Sequence, residues 1–283
     1  MSLRETTLAA RTPEARRLRL HVPDGMPPDN GWPLLILLDG DWVWPLDAPP
    51  GDSAACAVLI PGHGDMRGPF IPLPGGRTGS HPATSRTLAR RALDFTPPAP
   101  DGGRWPDPRR PEWRCGGADS FLDALRGPML AWADAQAPLD PARQSLYGHS
   151  YGGLCALYAL ARHPGRFART ICASPSLWWR DGRIESLLDT LPRTLPPDTN
   201  TAGASPRLTL MAGPDERWHA RPLDLAHPRR HDDGIPTLPR LEALRRRLSD
   251  IPWLDCDLEL LDGIQHGDAL RAGAQRAMTI AAA

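Results

Sequence analysis

The chain has 283 residues, enough for one large α/β domain and too few for two independent domains of that class. Its 33 basic side chains, all arginine, balance 33 acidic ones, so no global field favours nucleic acid or an anionic membrane surface. Cys56, Cys115, Cys155, Cys172 and Cys256 form neither an even disulfide framework nor a CxxC metal pattern; the first residues lack a signal-type apolar core, and no stretch is long and apolar enough to span a bilayer. A reduced, cytoplasmic protein is therefore expected, made of one domain over 1–283, with no metal, no cofactor and no nucleic-acid or membrane partner.

Leu18 to Val22 alternates apolar with polar residues, as a half-buried strand does. Leu34 to Leu38 and Ala57 to Ile60 are short continuous apolar runs stopped by Asp39-Gly40 and Pro61-Gly62, which predicts strands buried on both faces. From about 61 to 117 proline and glycine crowd in and no apolar period lasts, so this stretch reads as an insertion or lid. Ser120 to Gln136 has helical spacing, with Asp119 as a candidate N-cap. A strand end at Ser145 to Tyr147 precedes a helix over Tyr151 to Arg162. Thr170 to Ala173 and Leu208 to Met211 read as strands, Leu238 to Leu248 as a helix, Cys256 to Leu261 as the last strand and Gly267 to Ile280 as the last helix. Strands alternating with helices imply a mostly parallel sheet covered on both faces.

Gly148-His149-Ser150-Tyr151-Gly152 fits the nucleophile-elbow pattern, in which a serine on a tight strand-to-helix turn presents its hydroxyl at the carboxyl end of the sheet. The small residues around the serine keep bulk out of the turn, and the helix behind it aims N–H groups and a dipole at a developing anion. A serine needs a base. In this arrangement the base comes after the last strand, which selects His266. His149 belongs to the elbow and points away from the hydroxyl, while His63, His81, His219, His227 and His231 read as exposed loop residues. The acid should come after the strand Leu208 to Met211, where Asp215 and Glu216 both qualify; a Ser–His pair without an acid is the third arrangement. The Tyr151 N–H is one expected oxyanion donor, and Gly40 or Asp41 supplies the other.

Further pieces narrow the family. Leu37-Leu38-Asp39-Gly40-Asp41, Arg91-Ala92-Leu93-Asp94-Phe95-Thr96-Pro97, the elbow with Gly153-Leu154, Ala173-Ser174-Pro175-Ser176-Leu177-Trp178-Trp179 and His266-Gly267 succeed one another in order. In them the chain resembles the α/β-hydrolase esterases that open trilactone siderophores such as ferric enterobactin, salmochelin and bacillibactin. The resemblance implies a serine esterase on an α/β-hydrolase fold, with iron arriving as part of the substrate. It implies that Arg91 orients substrate at the mouth of the site, against the alternative of a structural ion pair, and that Trp178 and Trp179 line the pocket. Some members work without an obvious acid, which bears on Asp215 and Glu216. The competing expectations are a general carboxylesterase or thioesterase, and a ligand-binding protein on a catalytically retired scaffold.

Overall fold

The computed structural model describes residues 1–9, 15–47, 55–63, 71–73, 77–79, 82–197, 199, 204–218 and 234–283. Its centre is an eight-stranded sheet. The strands are β1 (Ser2–Leu8), β2 (Arg16–Val22), β3 (Trp32–Leu37), β4 (Ala57–Pro61), β5 (Leu139–His149), β6 (Arg169–Ala173), β7 (Arg207–Ala212) and β8 (Asp255–Leu260). They lie in the order β1-β2-β4-β3-β5-β6-β7-β8. β1 and β2 are antiparallel to their neighbours and the remaining pairings are parallel.

The period-2 arithmetic of a strand is visible in the core. In β3, Leu34 and Ile36 join one apolar cluster while Leu35 and Leu37 join the other, so the run is buried on both faces. Pro33 cannot donate to the ladder, and the β3–β5 register shifts between Trp32 and Leu34. The helices are α1 (Pro82–Asp94), α2 (Ala118–Ala124), α3 (Leu130–Asp134), α4 (Tyr151–Arg162), α5 (Arg183–Leu188), α6 (Leu238–Leu248) and α7 (Ala269–Ala282). α4 belongs to one cluster and α7 to the other, on opposite faces of the sheet. The buried Tyr147 hydroxyl donates to the carbonyl of Leu270 at 2.8 Å, which anchors the start of α7 to the central strand.

Three expectations need correction. The stretch 61–117 is not without regular structure, because it contains α1. This helix gives little sequence signal because its inward side carries Thr87, Arg91 and Asp94, all buried, rather than an apolar stripe. Parts of the stretch, His81 among them, lie outside the described residues. The helix expected over Ser120 to Gln136 is α2 and α3 joined by a wider turn at Leu125–Met129, where Pro128 lacks an N–H and Gly127 leaves helical geometry. Asp119 lies inside α2 rather than capping it, and its carboxylate accepts from the Tyr158 hydroxyl at 2.7 Å. The edge strand β1 is an addition to the expected set; it is largely exposed and carries little apolar alternation. Among the described residues no helix is long and apolar enough to cross a membrane, and all five cysteines are free.

Candidate active site

β5 runs straight into Ser150, whose backbone sits at φ 56° and ψ −115°, and α4 begins at the next residue. A non-glycine residue in that region is strained by about 1–3 kcal/mol and persists only where its surroundings impose it. Here the Ser150 N–H donates to the Ala173 carbonyl at 3.1 Å, and the Ser150 carbonyl accepts from Leu154 and Ser176 at 2.9 and 3.1 Å. A Cβ on Gly148 would run into the Gly152 carbonyl, so the turn closes only with glycine there.

The turn after β8 delivers His266, and the turn after β7 delivers Glu216. His266 Nε2 lies 3.2 Å from Ser150 Oγ, and His266 Nδ1 lies 3.0 Å from Glu216 Oε1. The Glu216 side chain is 1 % exposed, against 36 % for His266. Burial pushes the Glu216 carboxyl up, but the His266 hydrogen bond and charge, with donors from Ser174 and Thr237, outweigh it and hold the carboxyl below its usual range. Ser174 Oγ and Thr237 Oγ1 both donate to this carboxylate, the latter at 3.1 Å, and the Thr237 N–H returns to the Glu216 carbonyl at 2.9 Å. The structure thus brings Ser150, His266 and Glu216 together. Asp215 is exposed and turned outward.

Tyr151 opens α4, and Gly40 and Asp41 open the short helical turn Gly40–Trp42 that comes after β3. The first N–H groups of a helix have no carbonyl ahead of them, so both termini leave donors available. A Cβ on Gly40 would press on Ile60 and Leu37 at 2.8–3.0 Å, which ties that position to glycine. The Asp41 carboxylate is occupied by Arg19 of β2.

Arg91 is turned into the protein interior and does not line the pocket beside His266. It is buried, its Nε donates to both Asp39 carboxylate oxygens at 2.8 and 2.9 Å, and its Nη2 donates to the His149 carbonyl at 3.0 Å. The rings of Trp42, Phe95 and Tyr151 surround its guanidinium. The expectation of a substrate-orienting arginine therefore gives way to its alternative, a structural ion pair, with Asp39 as the partner. The buried imidazole of His149 continues this brace, with Nε2 2.7 Å from the His266 carbonyl. Burial, then the neighbouring His266 and Arg91, hold its pKa well below the ordinary value, so the ring is neutral and Nε2–H is the donor. Asp39, Arg91 and His149 thereby tie together the loops after β3, β5 and β8.

Trp178 and Trp179 part company. Trp178 lines a pocket together with Leu177, Trp218, Arg240 and His266. Its ring stacks on Trp218 at 5.7 Å, and the Arg109 guanidinium lies 4.0 Å from its centroid. Trp179 is fully buried in the core, edge-on to Trp105, which corrects its assignment to the pocket. His63 is likewise not a solvent-exposed loop residue, since its side chain is 3 % exposed and meets Asp94 at 3.1 Å. His219, His227 and His231 lie outside the described residues. Ser174, Thr237, Asp39, Arg109 and Trp218 are site residues that the sequence does not single out. Ser174 and Asp39 stand inside the motifs that carry the family resemblance, while nothing local marks Thr237, Arg109 or Trp218. Among the described residues no group of three His, Cys, Asp or Glu side chains could hold a metal ion.

The family model described as "Putative esterase" matches residues 9–200. The siderophore triacetylfusarinine C esterase of Aspergillus fumigatus is 44% identical over 94 residues, 32% of this chain and 28% of that protein. The ferri-bacillibactin esterase BesA of Bacillus subtilis is 30% identical over 165 residues, 56% of this chain and 52% of that protein. The chain thus spans about half the length, or less, of these curated relatives. Siderophore hydrolase EstB from Aspergillus nidulans superposes with a TM-score of 0.67 at 24% identity, covering 98% of this chain and 93% of that one. That likeness is one of fold, the α/β-hydrolase fold.

Proposed function

We propose that this chain, which belongs to the Putative esterase family, is a serine carboxylic ester hydrolase that opens an ester of a siderophore, a ferric trilactone of the enterobactin type. The observation that carries the chemistry is the relay Ser150–His266–Glu216, with contacts of 3.2 and 3.0 Å. The substrate reading draws on the siderophore esters named for the relatives. The Trp178 and Trp218 rings and Arg240, which line the pocket beside His266, also suit an anion with aromatic faces.

In this reading Ser150 Oγ attacks the ester carbonyl as its proton passes to His266 Nε2. The Glu216 carboxylate holds the proton on Nδ1 and stabilises the imidazolium. The N–H groups of Tyr151 and of Gly40 or Asp41 receive the oxyanion, each contributing about 3–4 kcal/mol to the barrier lowering. Collapse breaks the ester C–O bond, and His266 returns its proton to the leaving alcohol. Water then adds to the acyl-enzyme with His266 again as base, and Ser150 departs with the proton. Iron stays with the substrate throughout. The five free thiols support a reducing compartment, the cytoplasm, as the place of work.

The test is product analysis with ferric and iron-free cyclic triester, alongside Ser150→Ala, whose kcat should fall by about five to six orders of magnitude. Near-normal turnover in that variant would defeat the nucleophile assignment. A second reading, a general carboxylesterase, is favoured by the pocket itself. Its walls beside His266 are the stacked Trp178 and Trp218 with Leu177, an apolar surface that suits a compact acyl group. Specificity constants for short-chain esters several orders above those for the cyclic triester would select it.

A further inference from the structure

A second serine hydroxyl touches the first. Ser176 is 1 % exposed, and its Oγ lies 3.2 Å from Ser150 Oγ. Its backbone N–H, 3.1 Å from the Ser150 carbonyl, fixes the two residues against each other. The turn Ser174-Pro175-Ser176 after β6 thus does more than border the pocket. Ser174 serves the carboxylate end of the relay, and Ser176 serves the nucleophile end.

The direction of the Ser176 hydrogen bond comes from counting acceptors. A buried hydroxyl must put its proton on an acceptor. Among the described residues, Ser150 Oγ is the one hydrogen-bond partner of Ser176 Oγ. Ser150 in turn has two neighbours, Ser176 Oγ and His266 Nε2. His266 Nδ1 faces the Glu216 carboxylate, which holds its proton there and leaves Nε2 as an acceptor. One arrangement satisfies every group. Ser176 donates to Ser150, Ser150 to His266, and His266 to Glu216, with Ser174 and Thr237 donating to the same carboxylate.

We infer that Ser176 is a further catalytic residue, whose O–H bonds to Ser150 Oγ and directs the nucleophile's own proton onto His266; this rests on the serine-esterase reading above. It acts twice. In acylation, the bond holds Ser150 in the rotamer whose proton points at the base, and it bears on an oxygen that is losing that proton. In deacylation, the bond from Oγ to the acyl carbon breaks and its electron pair returns to Oγ. The proton comes from the His266 imidazolium, and the Ser176 O–H already bonded to that oxygen eases its departure. Ser176 gives up no proton of its own, so the overall reaction remains ester plus water to acid plus alcohol.

The experiment compares wild type with Ser176→Ala in the full chain. A fluorophosphonate probe reads attack by Ser150 alone, and burst kinetics on a chromogenic short-chain ester separate acylation from deacylation. A hydrogen bond to an oxygen that gains charge is worth about 10- to 100-fold, so labelling and both steps should slow by roughly that factor, with KM and thermal midpoint unchanged. Wild-type rates in Ser176→Ala overturn the inference and leave the serine-esterase reading standing. A wild-type protein that the probe fails to label overturns that reading, and this inference falls with it. Where Ser176→Ala does not fold, Ser176→Cys keeps the volume and replaces a strong donor by a weak one; wild-type rates in it overturn the inference equally.

Discussion

Replacing Arg91 by Ala discriminates between a guanidinium that holds the protein together and one that holds substrate. The Arg91 and Asp39 side chains are 10 % and 1 % exposed, so removal of the cation strands a buried carboxylate. Breaking a buried pair from one side costs about 3–5 kcal/mol. Loss of the donor to the His149 carbonyl adds about 1 kcal/mol. A chain of this length has an unfolding entropy near 0.6 kcal/mol/K, so the thermal midpoint should fall by about 7–10 °C. That is a large share of the total stability of about 5–15 kcal/mol typical of folded proteins. Asp39→Ala in the same chain should recover part of the loss, because the double variant buries no unpaired charge. Scanning calorimetry and urea titration measure all three variants. A midpoint within about 1 °C of wild type, combined with a raised KM, would refute the structural role and return Arg91 to the substrate.

Glu216→Gln should lower kcat by about three to four orders of magnitude with the fold intact, whereas Asp215→Asn should leave turnover within a factor of about two; the reverse ranking would move the acid to Asp215. Several depressed groups make stability pH-dependent: His149, His21 and His163 act in one window and Glu216 and Asp94 in a lower one. His149 is neutral when folded and titrates at its ordinary value when unfolded, so its contribution is complete above about pH 6.5 and is lost as pH falls below that point. Glu216, with its folded pKa below the ordinary 4.5, contributes above that value and loses the contribution as pH drops through the folded one. Urea midpoints from pH 8 to 3 should therefore fall in two stages, and His149→Gln should shrink the first; an unchanged first stage would contradict the buried neutral imidazole. Trp179→Ala should cost about 3–5 kcal/mol by opening a cavity in the core. Trp178→Ala should act chiefly on KM, and equal thermal losses with no kinetic difference would undo the distinction between the neighbours.

Where local pattern and tertiary role coincide, the sequence is legible. The apolar run at Leu34 to Leu38, the glycines around Ser150 and the helix that ends before Pro164 each announce their own environment. His266 is identifiable because the topology puts the base in the turn after the last strand. Much of the remainder depends on partners far along the chain. Arg91 meets Asp39 across 52 residues, and nothing near either one records it. Asp215 and Glu216 share a loop, and the choice is made by the tight turn in which the Glu216 N–H reaches the Gly213 carbonyl at 3.2 Å. Trp178 and Trp179 are equivalent as letters, yet one faces the cavity and the other the interior. α1 stays hidden in the sequence because paired charges occupy the side where apolar residues would have betrayed it.

The base lies 116 residues beyond the serine and is held in place by a helix that docks on the central strand. A growing polypeptide therefore carries its nucleophile long before it can use it. Hydrolytic competence appears only when β8 has joined the sheet edge and α7 has settled on the central strand.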